Sequence, residues 1–390
     1  MRFEFATAGR IIFGRGTIKD VAPLSAEMGK LACVVTGSTS ERAEPLLEQL
    51  DAQGIKCVTF SVSGEPTAAL AKAAVDTARR AKCDMVISFG GGSVLDTGKV
   101  VAAMLTNGGE LEDYLEVVGA GKPLVQSAAP HVAIPTTAGT GAEVTRNAVL
   151  GVPEQRVKVS MRSPLMLPRL AVVDPGLTHS MPPAVTASTG LDALTQLIEV
   201  YVSNKANPLT DGICREGLKR AGRSLRRAFE YGNDPAARED MALASLFGGL
   251  GLGNAKLGAV HGFAGPLGGM IDAPHGVICA RLLPFVMEAN VRALESRGTD
   301  SVLGRFDEIS QLLTADAGAK AADGVAWVRD LCAALKIPSL DDFGLVEEQF
   351  PAAVAKSQKS SSMKGNPVEL TERGLLEILR LARGSRKTAM

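Results

Sequence analysis

The chain has only four histidines, so each can be weighed separately as a source of chemistry. His261 and His275 bracket a Gly/Pro-rich segment, Gly262 to Pro274, and each is followed by glycine. That composition predicts a loop returning the second imidazole toward the first. Upstream, Gly190-Leu191-Asp192-Ala193-Leu194-Thr195-Gln196-Leu197-Ile198-Glu199 reads as an apolar, buried helix. Asp192 and Gln196 are four residues apart and share one face, with Glu199 three further on. A buried carboxylate is costly unless it is paired or bound to metal. Two imidazoles and a carboxylate with an open fourth position suit a catalytic divalent metal, although their spacing is not a recognised ligand signature. His131 and His179 have no evident partner and read as ordinary structural histidines.

Two further stretches offer donors to phosphate. In Phe89-Gly90-Gly91-Gly92-Ser93-Val94-Leu95-Asp96-Thr97-Gly98-Lys99 a buried strand ends, three glycines follow, and an apolar-periodic helix begins. Glycines let a phosphate approach main-chain N–H groups, and the helix N-terminus adds the positive end of a dipole. Ser93 is expected as the N-cap, with Asp96 completing an acidic variant of the capping box. The competing reading is a tight turn with no ligand, since the motif is neither GxGxxG nor a Walker A loop. Ile134-Pro135-Thr136-Thr137-Ala138-Gly139-Thr140-Gly141-Ala142-Glu143-Val144-Thr145 also follows an apolar strand. Its hydroxyls either face a ligand or satisfy their own backbone. Two such loops at strand ends make a crevice of the kind where open α/β sheets bind nucleotides. A third strand end runs Val35-Thr36-Gly37-Ser38-Thr39-Ser40-Glu41-Arg42. Glycine and hydroxyls stand where a ribose-binding carboxylate would be, and Arg42 follows, a chemistry that favours NADP(H) over NAD(H).

The elements that must position these residues fall into two textures. To about residue 181, β-rich runs (Leu31–Val35, Cys57–Phe60, Met85–Phe89, His131–Ile134, Leu170–Val173) alternate with helical stretches such as Thr67 to Lys82. That alternation predicts a parallel sheet with helices on both faces. After Met181-Pro182-Pro183, Ala/Leu/Arg/Glu-rich helical segments take over, and the prolines make a junction. We expect an α/β dinucleotide-binding domain over residues 1–181 and an all-α metal and substrate domain over 182–390, with a polar, frayed end at Gly384 to Met390.

The bulk properties fit an ordinary globular chain. At 390 residues it is long enough for two cores. Forty-two basic residues balance forty-two acidic ones, so nothing draws it to nucleic acid or an anionic membrane surface. Met1-Arg2-Phe3-Glu4-Phe5 does not read as a secretory signal, and no apolar run approaches the roughly 20 residues of a membrane helix. Six scattered cysteines read as reduced core residues. A cytoplasmic enzyme is expected.

Taken in order, these motifs resemble the iron-containing (group III) alcohol dehydrogenases over nearly the whole chain. The family's GGGSxxDxxK stands at Gly90 to Lys99, TTxGTGxExT at Thr136 to Thr145, and GxDALxxxxE at Gly190 to Glu199. Its HGxxxxxG and PHG segments stand at His261 to Gly268 and Pro274 to Gly276, and its DP at Asp174-Pro175. The resemblance implies a Rossmann-like N-terminal domain, a helical C-terminal domain and a catalytic cleft between them, the two-domain plan shared with dehydroquinate synthase. It places the cofactor along Gly37, Ser38, Thr39, Gly91, Gly92, Ser93, Thr136, Thr137 and Thr140, with Thr145, Lys158, Leu177 and Met181 flanking its ribose and nicotinamide. It puts metal ligands at Asp192, Gln196, His261 and His275, with Asp192, His261 and His275 catalytic through an iron or zinc ion. The implied reaction is hydride transfer between NAD(P)H and an aldehyde, alcohol or ketone, in a homodimer or larger assembly. Phe247, Leu250 and Leu257 are candidates for the substrate wall.

Two positions depart from the family pattern. Gln196 stands where the family has histidine, and an amide oxygen is a poorer ligand for borderline ions. It either ligates weakly, contacts a metal-bound water, or marks a site without iron. Metal-free reduction of an oxo-acid, as in the related maleylacetate reductases, with Lys158 orienting a carboxylate, is the rival reaction. Cys279 stands where the family commonly has asparagine and is assigned no role.

Overall fold

The computed structural model describes residues 1–384; residues 385–390 of the expected frayed end lie outside the described residues. The chain forms two compact units, Phe5–Ser180 and Met1–Glu4 with the chain from Met181 onward.

In the first unit six strands form one parallel sheet: β1 (Ile11–Phe13), β2 (Leu31–Gly37), β3 (Lys56–Val62), β4 (Met85–Gly90), β5 (His131–Pro135) and β8 (Leu170–Val173), in the order β1-β8-β5-β4-β2-β3. Strand residues alternate between two cores because side chains of a strand point to opposite faces. Cys33, Val35 and Val86 pack with Val75 of α3 (Ala68–Ala81) and Val101 of α4 (Gly92–Thr106). Ala32, Val34 and Ile87 pack on the other face with Val21 of α1 (Val21–Ser25) and Leu50 of α2 (Glu44–Ala52). The α3 crossover shows how local sequence sets a helix. Thr67 Oγ1 accepts from the Leu70 amide at 3.1 Å, Ala71, Ala74, Val75 and Ala78 form its buried stripe, and Lys82 ends it in the left-handed conformation at φ 61°. β3 and β4 flank β2 on opposite sides, so the order of strands reverses at β2, and a crevice opens at the carboxyl ends of β2 and β4.

Three strands are additional to the runs read from sequence. The three-residue β1 is too short to show periodicity. β6 (Asn147–Val152) and β7 (Val157–Arg162) form an antiparallel hairpin closed by Pro153–Gln155 and by Arg156 at φ 52°. The alternation of Val157, Val159 and Met161 with Lys158, Ser160 and Arg162 is its signature in the sequence.

The second unit is helical: α5 (Pro183–Val202), α6 (Pro208–Glu230), α7 (Pro235–Asn254), α8 (Ala259–Met270), α9 (His275–Arg297), α10 (Asp300–Thr314), α11 (Ala321–Ala334), α12 (Phe350–Lys359) and α13 (Glu372–Arg383). Pro183 is the first residue of α5, where its missing N–H costs nothing. Every residue from Gly190 to Val202 is buried, because α6, α7 and α9 surround this helix. Glycines permit the approach: a Cβ at Gly190 would lie 2.2 Å from Leu225 Cδ1, and one at Gly217 would lie 2.5 Å from Leu197 Cδ2. Gly262 to Pro274, expected as a loop, is instead mostly α8. Val260, Phe263, Ala264 and Leu267 bury one of its faces, and that packing overrides the low helix propensity of glycine and of Pro266 within it. No described helix is long and apolar enough to cross a membrane.

His131, at the start of β5, is buried with its Nε2 2.9 Å from Ser88 Oγ. A Cβ at Gly98 would lie 1.8 Å from that hydroxyl, so α4 closes directly over the pair. Burial, reinforced by the Lys99 cation, pushes the His131 pKa down to about 3. The unfolded chain takes up this proton below about pH 6.5 and the folded chain does not, so stability is present above that pH and drains as pH falls toward 3. The stability deficit of His131→Gln relative to wild type should therefore shrink by about 2 kcal/mol between about pH 7.5 and about pH 5, read by urea denaturation. A deficit that does not change with pH would show that His131 titrates freely in the fold.

Candidate metal centre and nucleotide loops

The strand ends of the α/β unit bring the glycine and threonine loops together. Gly90 pairs with Pro135 across β4 and β5, and the Thr136 amide donates to the Gly90 carbonyl at 3.0 Å. A Cβ at Gly91 would lie 3.3 Å from the Thr137 side chain, and one at Gly92 would lie 2.9 Å from Thr140 Cγ2. A side chain at Gly92 would force Thr140 to shift, and one at Gly91 would crowd Thr137. Gly91, not Ser93, is the N-cap of α4, and no side chain caps the helix. Ser93 lies inside the first turn, where its carbonyl accepts from Thr97 Oγ1. Asp96 closes no capping box either; it accepts from the Val149 amide at 2.9 Å and from Lys99 Nζ at 3.1 Å. Hairpin attachment competes with capping for this carboxylate and wins. The uncapped start of a 15-residue helix at the sheet's switch point is a place for an anion.

Lys99, fully buried, donates also to Thr145 Oγ1 at 2.8 Å and the Asn147 carbonyl at 2.6 Å. The motif's lysine thus ties α4 to the threonine loop, and Thr145 is a buried part of that tie. At the end of β2, Ser38, Thr39 and Arg42 are exposed and Gly37 is partly so. Arg42 Nη2 donates to the Leu177 carbonyl at 3.0 Å, which joins two of the expected cofactor residues. Lys158 lies on β7 with Nζ 3.2 Å from Glu65 Oε2. Met181 opens the helical unit, and its carbonyl accepts from buried Arg238 at 3.4 Å.

The helical unit gathers a second constellation, and His131 and His179 belong to the α/β unit instead. Asp192 and Gln196 project from α5, His261 from the first turn of α8, and His275 from the start of α9. Asp192 Oδ1 lies 3.3 Å from His261 Nε2 and 3.8 Å from His275 Nε2. The fourth atom to converge is Cys279 Sγ, at 3.8 Å from His261 Nε2 and 3.6 Å from His275 Nε2. All four donor atoms lie within 4.8 Å of one another. Metal–ligand bonds of about 2.0–2.3 Å in a tetrahedron imply donor–donor edges of about 3.3–3.8 Å, the range of the four separations just given. Asp192 is 1% exposed, and its Oδ1 accepts no hydrogen bond from any described group. A buried carboxylate oxygen without a donor, facing two imidazole nitrogens, fits a cation.

Glu199, one helical turn beyond Gln196, sets the tautomer. Its Oε2 lies 2.7 Å from His261 Nδ1, and its Oε1 accepts from the Val260 amide at 2.6 Å. Nδ1 therefore carries a proton toward Glu199, and Nε2 faces the cluster. A Cβ at Gly258 would lie 2.8 Å from Glu199 Oε1, and one at Gly276 would lie 2.5 Å from the Ser188 carbonyl, so both glycines let α8 and α9 close on α5. Burial disfavours charge on all these groups. The His261 and His275 imidazoles nevertheless hold the Asp192 pKa below its ordinary value, while Cys279 and Asp192, with Glu199 for His261, raise those of both histidines. A dication can take over the role of the protons shared in this cluster. Gln196 turns its amide nitrogen to Asp192 Oδ2 at 3.3 Å.

Residues 8–175 match the iron-containing alcohol dehydrogenase family, and residues 186–383 match the C-terminal part of the Fe-containing alcohol dehydrogenase family. The chain belongs to the iron-containing alcohol dehydrogenases. A choline dehydrogenase of Bacillus subtilis is 34% identical over 95% of this chain and 92% of its own length. A 1,3-propanediol dehydrogenase of Klebsiella pneumoniae is 34% identical over 97% and 98%. The crystal structure of a 1,3-propanediol oxidoreductase superposes with a TM-score of 0.90 at 33% identity, over 98% of this chain and 100% of that one. A sulfoacetaldehyde reductase from Bifidobacterium kashiwanohense, in complex with NAD+, gives 0.87 at 28% identity, over 99% and 100%. This family member is therefore an alcohol dehydrogenase-type oxidoreductase, moving hydride between a nicotinamide nucleotide and an alcohol or aldehyde.

The residues that sequence reasoning passed over are Lys99, whose motif was read without a role for it, Glu199, which was seen only as a carboxylate on the right helix, and Cys279. Four residues separate His275 from Cys279, and that helical spacing was the available signal. Glu199→Gln keeps the bond from the Val260 amide but loses the charged partner of Nδ1. Its metal dissociation constant should rise about 10–100-fold in a chelator competition. Unchanged affinity would remove Glu199 from the positioning role.

Proposed function

We propose that this alcohol dehydrogenase reduces small aldehydes reversibly with NADP(H), using a divalent cation held by Asp192, His261 and His275. The observation that carries the reading is the donorless, buried Asp192 Oδ1 facing two imidazole nitrogens. When bound, the nucleotide supplies the hydride and the cation polarises the substrate's carbonyl oxygen. The chain does the rest. Glu199 holds the His261 tautomer, and Gln196 steadies Asp192 through Oδ2. The uncapped amides of α4, beside Thr137 and Thr140, receive the nucleotide's diphosphate, with Thr136 at the adjoining strand end. Gly37, Ser38 and Thr39 face its ribose.

Support for NADP(H) is the chemistry at the end of β2. No carboxylate follows Thr36 directly, and the exposed Arg42 guanidinium spends one N–H on the Leu177 carbonyl. Its remaining donors suit a 2′-phosphate. The oxo-acid alternative needs Lys158 for a carboxylate, and that ammonium is paired with Glu65. A homodimer or larger assembly in the cytoplasm completes the proposal.

Asp192→Ala should abolish aldehyde reduction and strip the metal in elemental analysis, while NADPH still binds in a fluorescence titration. A variant that retains turnover overturns the metal-assisted reading. Independently, Arg42→Ala should lower kcat/KM for NADPH by about 10–100-fold and leave that for NADH unchanged, the loss expected for a charge-assisted bond of about 1.5–3 kcal/mol. An equal effect on both nucleotides removes the NADP(H) preference.

A further inference from the structure

We infer that Cys279 Sγ is the fourth ligand of the cation site, so that this chain has exchanged an all-nitrogen-and-oxygen iron site for an Asp-His-His-Cys site selective for a thiophilic dication, zinc above ferrous iron. The inference rests on the metal reading given above and goes beyond it in the ligand set and the metal.

Four observations converge. First, Cys279 Sγ lies 3.6 and 3.8 Å from the two imidazole nitrogens that face Asp192, the edge lengths of a tetrahedral site with one sulfur. Second, its surroundings differ from those of Cys332 and Cys57. Buried Cys332 Sγ donates to the Ala280 carbonyl at 3.4 Å and half-buried Cys57 Sγ donates to the Ile55 carbonyl at 3.7 Å, the ordinary satisfaction of a thiol. Cys279 Sγ faces ring nitrogens. Third, His275 and Cys279 stand one turn apart on α9, so one rigid element presents both. Fourth, the residue at the family's histidine position is turned to another task. Gln196 Nε2 donates to Asp192 Oδ2, and Gln196 Oε1 lies 2.8 Å from the Cβ position of Gly248 on α7. Turning the amide over would bring its oxygen against the Asp192 carboxylate.

The charge arithmetic points the same way. An aspartate with three neutral histidines leaves a dication at net +1 in a buried site. Aspartate, two histidines and a thiolate bring it to neutral, which costs less to bury. Sulfur with two imidazoles favours zinc or cobalt in a tetrahedral field, whereas ferrous iron prefers nitrogen and oxygen ligands at higher coordination number.

The test loads metal-free full-length protein with one equivalent of Co(II) and records its absorption spectrum. A near-ultraviolet sulfur-to-cobalt charge-transfer band is expected, together with visible bands of tetrahedral intensity. Cys279→Ser should bind cobalt without the charge-transfer band, and Cys279→Asn should lose at least about tenfold in zinc affinity relative to its affinity for ferrous iron, measured anaerobically by competition. Full cobalt occupancy with no sulfur band in the wild type, or a band that survives in Cys279→Ser, overturns the inference and leaves the Asp192, His261, His275 reading standing. No cobalt bound at all overturns both.

Discussion

Asp192 places a carboxylate inside a helix that is buried on every side, at 1% exposure. An isolated ion there would be expelled or neutralised, since burial in a medium of low dielectric penalises the charged form by several kcal/mol. The packing of the helical unit is arranged around that problem. Gln196 takes one of its oxygens from the same helix, and two imidazoles from α8 and α9 are drawn to the other. Glycines at 190, 217, 248, 258 and 276 bring neighbouring helices close enough for these side chains to meet. Remove the carboxylate, and the close approach of the helices around it has no chemical purpose.

The two units treat helix N-termini in opposite ways. At α8 the amides of Val260 and His261 point to Glu199, a carboxylate of the chain's own, so the positive end of the helix is spent on holding an imidazole. At α4 no side chain takes that place, and the loop is built of glycines pressed against threonines. The first arrangement stabilises a fixed internal geometry. The second leaves donors for an anion from outside.

Where structure and sequence reading part, long-range competition is the cause. Ser93 has the right identity for a cap, yet the helix begins two residues earlier, with Gly92 set against Thr140. Asp96 has the right spacing for a capping box, yet the Val149 amide from the hairpin claims it. The glycines and proline of 262–274 suggest a loop, but an apolar face packed on α9 and α12 makes it helical. Each outcome depends on a partner in another element, which no local pattern encodes.

By itself the sequence determined the classes: an alternating α/β half, a helical half, glycine and threonine loops at strand ends, and a carboxylate with two histidines as candidate ligands. Those follow from periodicity and from the chemistry of residue types, which are local. Tertiary structure alone decided which atoms face one another. It turned Gln196 toward Asp192 Oδ2, set Glu199 behind His261, and brought a cysteine of unremarked spacing to within 3.6 Å of an imidazole nitrogen. Side-chain direction depends on how three helices pack, and that is fixed by contacts between segments some seventy residues apart.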